Sequence, residues 1–220
     1  MQRRGLKIEV DLMDPKNKVQ WVYSAMDNQE LAERYDQWAQ DYDVDLERDF
    51  GYVGPVRTAE IFARHVPAEA NVLDAGCGTG LVGEALYKMG YRNLAAIDLS
   101  NGMLKQARQK KIYRELHQMV LGEHLDFHSN SFDAVISVGV LTVGHAPASS
   151  LDELVRVTKI GGHVVFTLRP DIYEDAGFRE KQEALDGTDW ELVEVSAELQ
   201  VLPKGEPEVN HQIWVYRVTR

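Results

Sequence analysis

The chain has 220 residues, of which 44% are hydrophobic and 27% are charged, so we expect a globular protein with one sizeable core and not two full domains. Asp and Glu (35) outnumber Lys and Arg (24), giving a net charge of −11; a surface this acidic repels phosphate backbones and anionic lipid, so we expect neither nucleic acid nor a membrane as the main partner. The single cysteine excludes an intramolecular disulfide and a thiolate metal cluster. Because no secretory signal is visible at the start, we predict a cytoplasmic protein.

Two helices are predicted in the N-terminal part of the chain. Residues 1–27 are mixed and polar, and we expect this segment to be partly mobile. Asp27 has a glutamate three positions later, the spacing of a capping box, and large apolar side chains then recur at helical intervals, which predicts a helix beginning near Asp27. A second helix is predicted at 58–65. We expect both to form a helical cap, at about residues 28–67, on a single domain spanning 28–220.

From residue 71 onward, short apolar runs alternate with helical segments. The predicted strands are 72–75, 94–98, 116–121, 132–138, 163–168, 190–199 and 213–218, and the predicted helices are 81–89, 102–111, 151–159 (ended by Gly161 and Gly162) and 172–185. This alternation predicts an α/β fold with a Rossmann-like, doubly wound, seven-stranded sheet. The last two strands have a connection too short for a helical crossover, so we expect a mostly parallel sheet with one antiparallel strand near the C-terminus.

A glycine-rich turn follows the first predicted strand and opens a helix, with the sequence Asp74-Ala75-Gly76-Cys77-Gly78-Thr79-Gly80. Glycines in such a turn let a ligand approach main-chain N–H groups, and Asp98, at the end of the next strand, is placed to accept hydrogen bonds from both hydroxyls of a ribose. The dinucleotide pattern requires glycine where this chain has Leu81. A carboxylate at Asp74 would repel a pyrophosphate but attract an amino group. The pattern favours S-adenosylmethionine, which has a ribose, an amino group and no phosphate; the alternative is a structural turn with a helix-capping aspartate.

The segments LDAGCGTG and AAIDLS resemble motif I and the following acidic motif of class I S-adenosylmethionine-dependent methyltransferases. SFDAV and LVRVTKIGG are similar to that family's fourth strand and to the segment before its fifth, and the resemblance spans about residues 31–220. The runs YDQWAQDYD, GLV, MLKQAR and VGVL resemble more closely the methyltransferase-like subgroup named after the Williams–Beuren syndrome chromosomal region. The resemblance implies S-adenosylmethionine as cofactor and S-adenosylhomocysteine as product, and it leaves the acceptor open.

The same resemblance implies which residues contact the cofactor. Those expected at the methionine end are Asp74, Ala75, Gly76, Ser137, Val138 and Gly139, with Gly78 and Gly80 shaping the loop. Those expected along the nucleoside are Asp98 at the ribose hydroxyls, Leu99 and Met103 on the adenine faces, and Glu123 and His124 at the adenine edge. The aromatic residues expected to fold over the cofactor from the N-terminal helix are Tyr35, Trp38 and Tyr42, although Trp38 and Tyr42 also suit a plain core.

Methyl transfer requires the acceptor to be aligned and water to be excluded, with a base only where the acceptor must lose a proton. His145 is the candidate base, and Arg169, Tyr173 and Tyr52 are candidate contacts to the acceptor. The alternatives are that His145 only closes a loop and that Arg169 only bridges to a nearby carboxylate such as Asp171. We expect transfer to N or O of a small or medium organic acceptor, with no metal because the histidines lack ligand spacing.

Two other functions remain open from the sequence. One is a binding module that holds S-adenosylmethionine without catalysis, since no residue here is a mandatory catalyst. The other is a nicotinamide-dependent reductase, which Leu81 and the lack of any Tyr-x-x-x-Lys both disfavour. The sequence does not determine the oligomeric state.

Overall fold

The computed structural model describes residues 14–142 and 144–220, and strands and helices alternate from residue 71 onward. The strands are β1 (Asn71–Ala75), β2 (Asn93–Asp98), β3 (Glu115–Gln118), β4 (Phe132–Ser137), β5 (Thr158–Leu168), β6 (Trp190–Val195), β7 (Leu199–Gln200) and β8 (Asn210–Val218). The helices are α1 (Pro15–Tyr23), α2 (Asn28–Trp38), α3 (Tyr42–Asp45), a π-helical turn (Leu46–Phe50), α4 (Gly54–His65), α5 (Leu81–Lys88), α6 (Asn101–Lys110), α7 (Ser150–Val157), a 3-10 turn (Pro170–Ile172) and α8 (Phe178–Leu185).

The sheet has the order β3-β2-β1-β4-β5-β8-β6, with the two-residue β7 paired to β8 outside this path. β1 pairs in parallel with both β2 and β4, whereas β8 runs antiparallel to β5 and to β6. The predicted doubly wound sheet with one antiparallel strand is confirmed. Because the strand order reverses at β1, a crevice opens at the carboxyl ends of β1, β2 and β4, where ligands bind in open α/β sheets.

The central strands are apolar because helices cover both of their faces. Leu73 and Val135 are fully buried in a cluster with α7 and α8, and Val72 and Ile136 are fully buried in a second cluster with α4 and α5. Burying a side chain of this kind stabilises the fold by about 1.5–3 kcal/mol. The carboxyl ends of β1 and β4 are therefore held on a rigid base.

The prediction that a helix runs over 151–159 and ends at Gly161 and Gly162 is wrong. α7 ends at Val157, and both glycines lie within β5. They occupy an irregularity in the pairing of β4 with β5, where the register shifts. Gly161 has φ +80°, and a Cβ on Gly162 would lie 2.4 Å from the carbonyl oxygen of Asp133, so the glycines serve a strand bulge and not a helix end.

Three other segments also differ from the sequence prediction. The single helix predicted at 172–185 is a 3-10 turn followed by α8, because Gly177 with φ +74° precedes a new helix start. The strand predicted at 190–199 is divided into β6 and β7. β3 ends at Gln118, and the next three residues form a wall of the crevice instead.

The N-terminal helices form the cap. The first 13 residues of the segment expected to be mobile lie outside the described residues, and α1 forms where the sequence predicts no element. Lys18 of α1 is buried and donates to Asp45 at 2.8 Å, and this ion pair joins α1 to α3. The predicted N-cap of α2 is present, since the Glu30 N–H donates to the Asp27 carboxylate at 2.8 Å. Among the described residues, no helix combines the length and apolarity that crossing a bilayer requires.

Candidate active site

The glycine-rich turn connects β1 to α5 and folds back on β2. The N–H groups of Gly76 and Cys77 donate to the Ile97 carbonyl at 2.9 and 3.0 Å. Gly76 has φ +80°, and a Cβ on it would lie 2.5 Å from Val140 Cγ2. Only glycine fits here, because any side chain would both strain the backbone and overlap Val140. The loop therefore forms a smooth backbone wall against the crevice.

Asp98 is the acidic residue at the carboxyl end of β2, and it is nearly fully buried at the crevice. Its carboxylate accepts from the Gly78 N–H at 2.8 Å and from the Ser100 N–H at 2.9 Å, one bond to each oxygen. Burial raises the pKa of Asp98 to about 6, although these two N–H groups oppose the rise. Each oxygen keeps a further lone pair with which to accept a hydroxyl.

Asp74 is the penultimate residue of β1, on the face turned toward α5; it is fully buried and, contrary to the expectation from the sequence, it does not line the crevice. Its Oδ2 accepts from the Tyr113 hydroxyl at 2.5 Å, whereas its Oδ1 is buried without a hydrogen-bond partner in the described part of the chain. Burial raises the pKa of Asp74 to about 7, against the opposing hydrogen bond from Tyr113. Because Asp74 has no exposed surface, it acts on a ligand in the crevice through its charge and not by direct contact.

The crevice beside Asp98 has about 660 Å³ of empty space, part of which is open solvent. Its walls come from the end of β2, the segments that follow β1, β3 and β4, the start of α6 and the N-terminal helices. Of the residues predicted from the sequence, those that line it are Tyr35, Tyr42, Gly76, Gly78, Asp98, Leu99, Met103, Val138, Gly139 and His145. Those that line it without having been predicted are Asn28, Leu31, Met119, Val120, Leu121, Val140 and Ala146.

The helical cap is hydrogen-bonded to the elements that form the crevice. Asp36 of α2 accepts from the Ser100 hydroxyl and from the Gly102 N–H, both at 2.6 Å. Asp43 of α3 accepts from the Thr79 hydroxyl in the glycine-rich turn. A Cβ on Gly102 would lie 2.7 Å from the Asp36 Cα, so α2 sits directly on the start of α6. These contacts hold the cap over the loop.

The comparisons with known proteins agree with this geometry. A family model described as a methyltransferase domain matches residues 73–166. Methyltransferase-like protein 27 from Homo sapiens is 36% identical over 162 residues, which are 72% of this chain and 65% of the relative. The demethylmenaquinone methyltransferase of Thermobifida fusca (strain YX) is 36% identical over 146 residues, 63% of this chain and 61% of the relative. A solved TehB-like SAM-dependent methyltransferase from Corynebacterium glutamicum has a TM-score of 0.63 at 20% identity, covering 85% of this chain and 99% of that chain.

Residues 73–166 match a methyltransferase domain, and the relatives and solved structures support a class I S-adenosylmethionine-dependent methyltransferase. The predicted family and cofactor are confirmed. The chain spans slightly less than two thirds of the length of the two curated relatives named above.

The crevice fits the cofactor of this methyltransferase family on three observations. The Asp98 carboxylate suits the two ribose hydroxyls, and the negative charge of Asp74, buried behind the loop, favours an amino group on the ligand. Gly78 also lines the crevice and has open space where a Cβ would lie, so a ligand can approach the backbone there. Tyr113 was not predicted, because the sequence gives no sign that a residue after α6 reaches the end of β1. It explains Gly83 in α5, where a Cβ would lie 2.1 Å from the Tyr113 hydroxyl oxygen.

The structure corrects the expected adenine-edge contacts. Glu123 and His124 are exposed and lie outside the residues that line the methyltransferase crevice, and His124 Nδ1 lies 3.2 Å from a Glu153 carboxylate oxygen. Gly122, with φ +101°, turns the chain at this point. The side chains after it face solvent, and residues 119–121 form the wall in their place.

Ser137 and Ala75 also lie behind the crevice and not in its wall. The Ser137 hydroxyl is buried and donates to the Ala75 carbonyl at 2.8 Å, so it ties β4 to β1. Gly80 likewise serves the fold: it has φ +92° and precedes α5, and a Cβ on it would lie 3.0 Å from the Tyr113 ring. These residues position the loop, and the structure gives none of them a surface on the crevice.

A second cavity, also about 660 Å³, adjoins the cofactor crevice of the methyltransferase. Tyr35, Tyr42, Val138 and Gly139 line both spaces. The other residues that line the second cavity are Val19, Val22, Tyr23, Trp38, Leu46, Tyr52, Gly54, Leu141, Thr142, Thr167, Val201, Leu202 and His211. Trp38, expected at the cofactor, therefore lies at this neighbouring space.

The candidate residues for the acceptor separate into two groups. His145 Nε2 lies 2.7 Å from the Tyr35 hydroxyl oxygen at the edge of the crevice, and Tyr52 lines the second cavity. Arg169 is instead paired through two hydrogen bonds with Asp171, at 2.9 and 2.5 Å, and lines neither space. Tyr173 stacks on Trp214, with the ring centroids 5.3 Å apart, and it also lies outside the crevice and the second cavity. Arg169 therefore bridges to the nearby carboxylate of Asp171, which was the alternative to a contact with the acceptor.

Proposed function

We propose that this methyltransferase transfers the methyl group of S-adenosylmethionine to an oxygen or nitrogen of a small organic acceptor held in the second cavity. The observation that carries this proposal is the shared wall: Tyr35, Tyr42, Val138 and Gly139 line both spaces. An acceptor in the second cavity would lie next to the methionine end of the crevice. That the reaction takes place in the cytoplasm stays a prediction from the sequence.

The cofactor supplies a methyl group on a positively charged sulfur, and the chain supplies the alignment of this methyl group with the acceptor. Holding two reactants in a near-attack geometry contributes about 7–11 kcal/mol in favourable cases. The relative from Thermobifida fusca, named as a demethylmenaquinone methyltransferase, supports a small-molecule acceptor.

Tyr35 and His145 are the candidates for removing a proton from the acceptor. Tyr35 lies in both spaces and is hydrogen-bonded to His145 Nε2 at 2.7 Å. Burial raises the pKa of Tyr35 well above its ordinary value, so its hydroxyl stays neutral. It can accept the proton of an acceptor O–H or N–H while passing its own proton to the histidine. The methylated acceptor then leaves the site neutral, and the proton remains on His145.

The test is the formation of S-adenosylhomocysteine from S-adenosylmethionine during incubation with a panel of small phenols and amines. At least one acceptor should give turnover, and His145→Ala should lower kcat by about a hundredfold or more, the contribution of one proton-transfer group. His124→Ala is the matched control, because this histidine is exposed outside the crevice and should leave kcat unchanged. Tight binding of S-adenosylhomocysteine with no turnover across the panel would instead support the binding module.

A further inference from the structure

The lining of the second cavity combines aromatic and aliphatic side chains. None of the described residues that line it is Asp, Glu, Lys or Arg, and four tyrosines and a tryptophan form much of its wall. Two ion pairs lie near this lining. Lys18 pairs with Asp45 at 2.8 Å. Arg169, which acts on the pKa of both Tyr23 and His211, pairs with Asp171 at 2.5 Å, so neither pair offers an unpaired charge. A charged ligand group entering this space would lose its hydration without gaining a counter-ion. The wall therefore selects for an uncharged ligand.

The aromatic side chains favour a planar ring. Tyr35 and Trp38 lie nearly parallel, with an interplanar angle of 6° and centroids 6.4 Å apart, and Tyr42 meets Trp38 edge-on at 4.8 Å. Rings arranged in this way offer faces and edges against which a flat aromatic group can stack. The remaining wall is mostly aliphatic, so apolar area of a ligand would be buried against it.

His211 of β8 provides a polar group within this apolar wall. Its Nδ1 is buried and has no hydrogen-bond partner in the described part of the chain. Burial lowers the pKa of His211 to about 4, and the nearby Arg169 acts in the same direction, so the ring is neutral at physiological pH. A buried ring nitrogen without a partner carries a desolvation cost, and a ligand group that hydrogen-bonds to it would remove that cost.

We propose that the second cavity is the acceptor site and that it takes an uncharged, planar, ring-bearing acceptor with a hydroxyl or carbonyl group that hydrogen-bonds to His211 Nδ1. This inference rests on the proposed function, which it deepens by naming the acceptor class. His211 is thus a specificity-determining residue that contacts the acceptor and leaves the cofactor untouched, since it lines only the second of the two spaces.

The test measures binding, not turnover. The protein is saturated with S-adenosylhomocysteine and titrated with three probes that share one ring system: 1-naphthol, naphthalene and 1-naphthoate, followed by quenching of tryptophan fluorescence. We expect 1-naphthol to bind roughly tenfold more tightly than naphthalene, for the added hydrogen bond, and more tightly than the anionic 1-naphthoate by at least as much.

Two variants assign the preference to one side chain. His211→Leu should bring the affinity for 1-naphthol down to that for naphthalene, while His211→Asn, which keeps a hydrogen-bonding group near the position of Nδ1, should retain most of the preference. The affinity for S-adenosylhomocysteine should be unchanged in both.

Binding of 1-naphthoate as tight as that of 1-naphthol would overturn the inference, and this comparison uses the unmodified protein even if His211→Leu does not fold. An unchanged preference in a folded His211→Leu would overturn the role of His211. The proposed function fails separately: its failure would be an absence of methyl transfer while 1-naphthol still binds.

Discussion

Replacing Asp98 with alanine should weaken the binding of S-adenosylhomocysteine by at least about tenfold. The side chain is 7% exposed, so the hydroxyls that bond to its carboxylate do so away from competing water. A hydrogen bond to a charged group contributes on the order of 1.5–3 kcal/mol, and a change of about 1.4 kcal/mol is tenfold in affinity. Loss of a single ribose contact therefore suffices for the predicted effect. Alanine also leaves the N–H groups of Gly78 and Ser100 without their acceptor, which adds to the loss.

The assay is isothermal titration calorimetry of the ligand into each variant, with thermal unfolding as a check of the fold. Asp98→Asn keeps the shape and one carbonyl oxygen, so its affinity should fall between those of the alanine variant and the unmodified protein. Asp133→Asn is the matched control, since that aspartate lies at the start of β4 and bonds to Lys159 at 2.6 Å and to Asn71 at 2.7 Å. An unchanged affinity in a folded Asp98→Ala protein would refute the assignment of the ribose site.

Three further perturbations test the loop, the carboxylate and the cap. Burial raises the pKa of Asp98 to about 6 and that of Asp74 to about 7, so both carboxyls gain charge as the pH rises, and calorimetric affinity for S-adenosylhomocysteine should rise from pH 5 to 8. Asp74→Asn should remove the part of this rise around pH 7 and leave the part around pH 6; an unchanged profile in this variant would contradict the role of Asp74. Gly76→Ala should abolish the binding of S-adenosylhomocysteine. At the comparison position, Gly187 has φ +68° and open space for a Cβ, so Gly187→Ala should only lower the free energy of unfolding in urea by about 1–2 kcal/mol. Asp45→Asn should cost about 3 kcal/mol in the same unfolding assay, because it leaves the buried ammonium of Lys18 without its main partner; a loss no larger than that of a surface substitution would show that the pair is not buried in solution.

The centre of the fold could be predicted from the sequence because local pattern and tertiary role coincide there. The apolar run of β1 is buried on both faces, and Gly76, Gly78 and Gly80 all adopt positive φ angles, as a sharp turn requires. Asp98 lies where the strand pattern ends. In these places the residue type itself indicates the structural role, so the role could be predicted from the sequence.

Other features could not be predicted because one residue type has several uses. Glycine commonly ends helices, but Gly161 and Gly162 lie in a bulge that depends on the register between β4 and β5, and register is a tertiary property. An acidic residue after β3 suits the adenine edge, yet the turn at Gly122 directs Glu123 to solvent. The direction of a loop side chain depends on backbone angles that its sequence does not determine.

The second cavity shows the same limit on a larger scale. Its walls come from α1, α2, the π-helical turn, the segment after β4 and the start of β8. These segments are far apart in the sequence, so only the packed structure brings His211 beside Tyr23 and Tyr52. Tyr113 and Asp74 are likewise 39 positions apart, and nothing in either local pattern predicts their hydrogen bond.

The central claim is that the crevice at the ends of β1 and β2 holds the adenosine and amino-acid parts of S-adenosylmethionine. The most direct measurement is a crystal structure of the protein with S-adenosylhomocysteine. The account predicts the two ribose hydroxyls within hydrogen-bond distance of the Asp98 carboxylate and the amino group directed toward Asp74. A ligand bound elsewhere, or one in this crevice with its ribose turned away from Asp98, would contradict it.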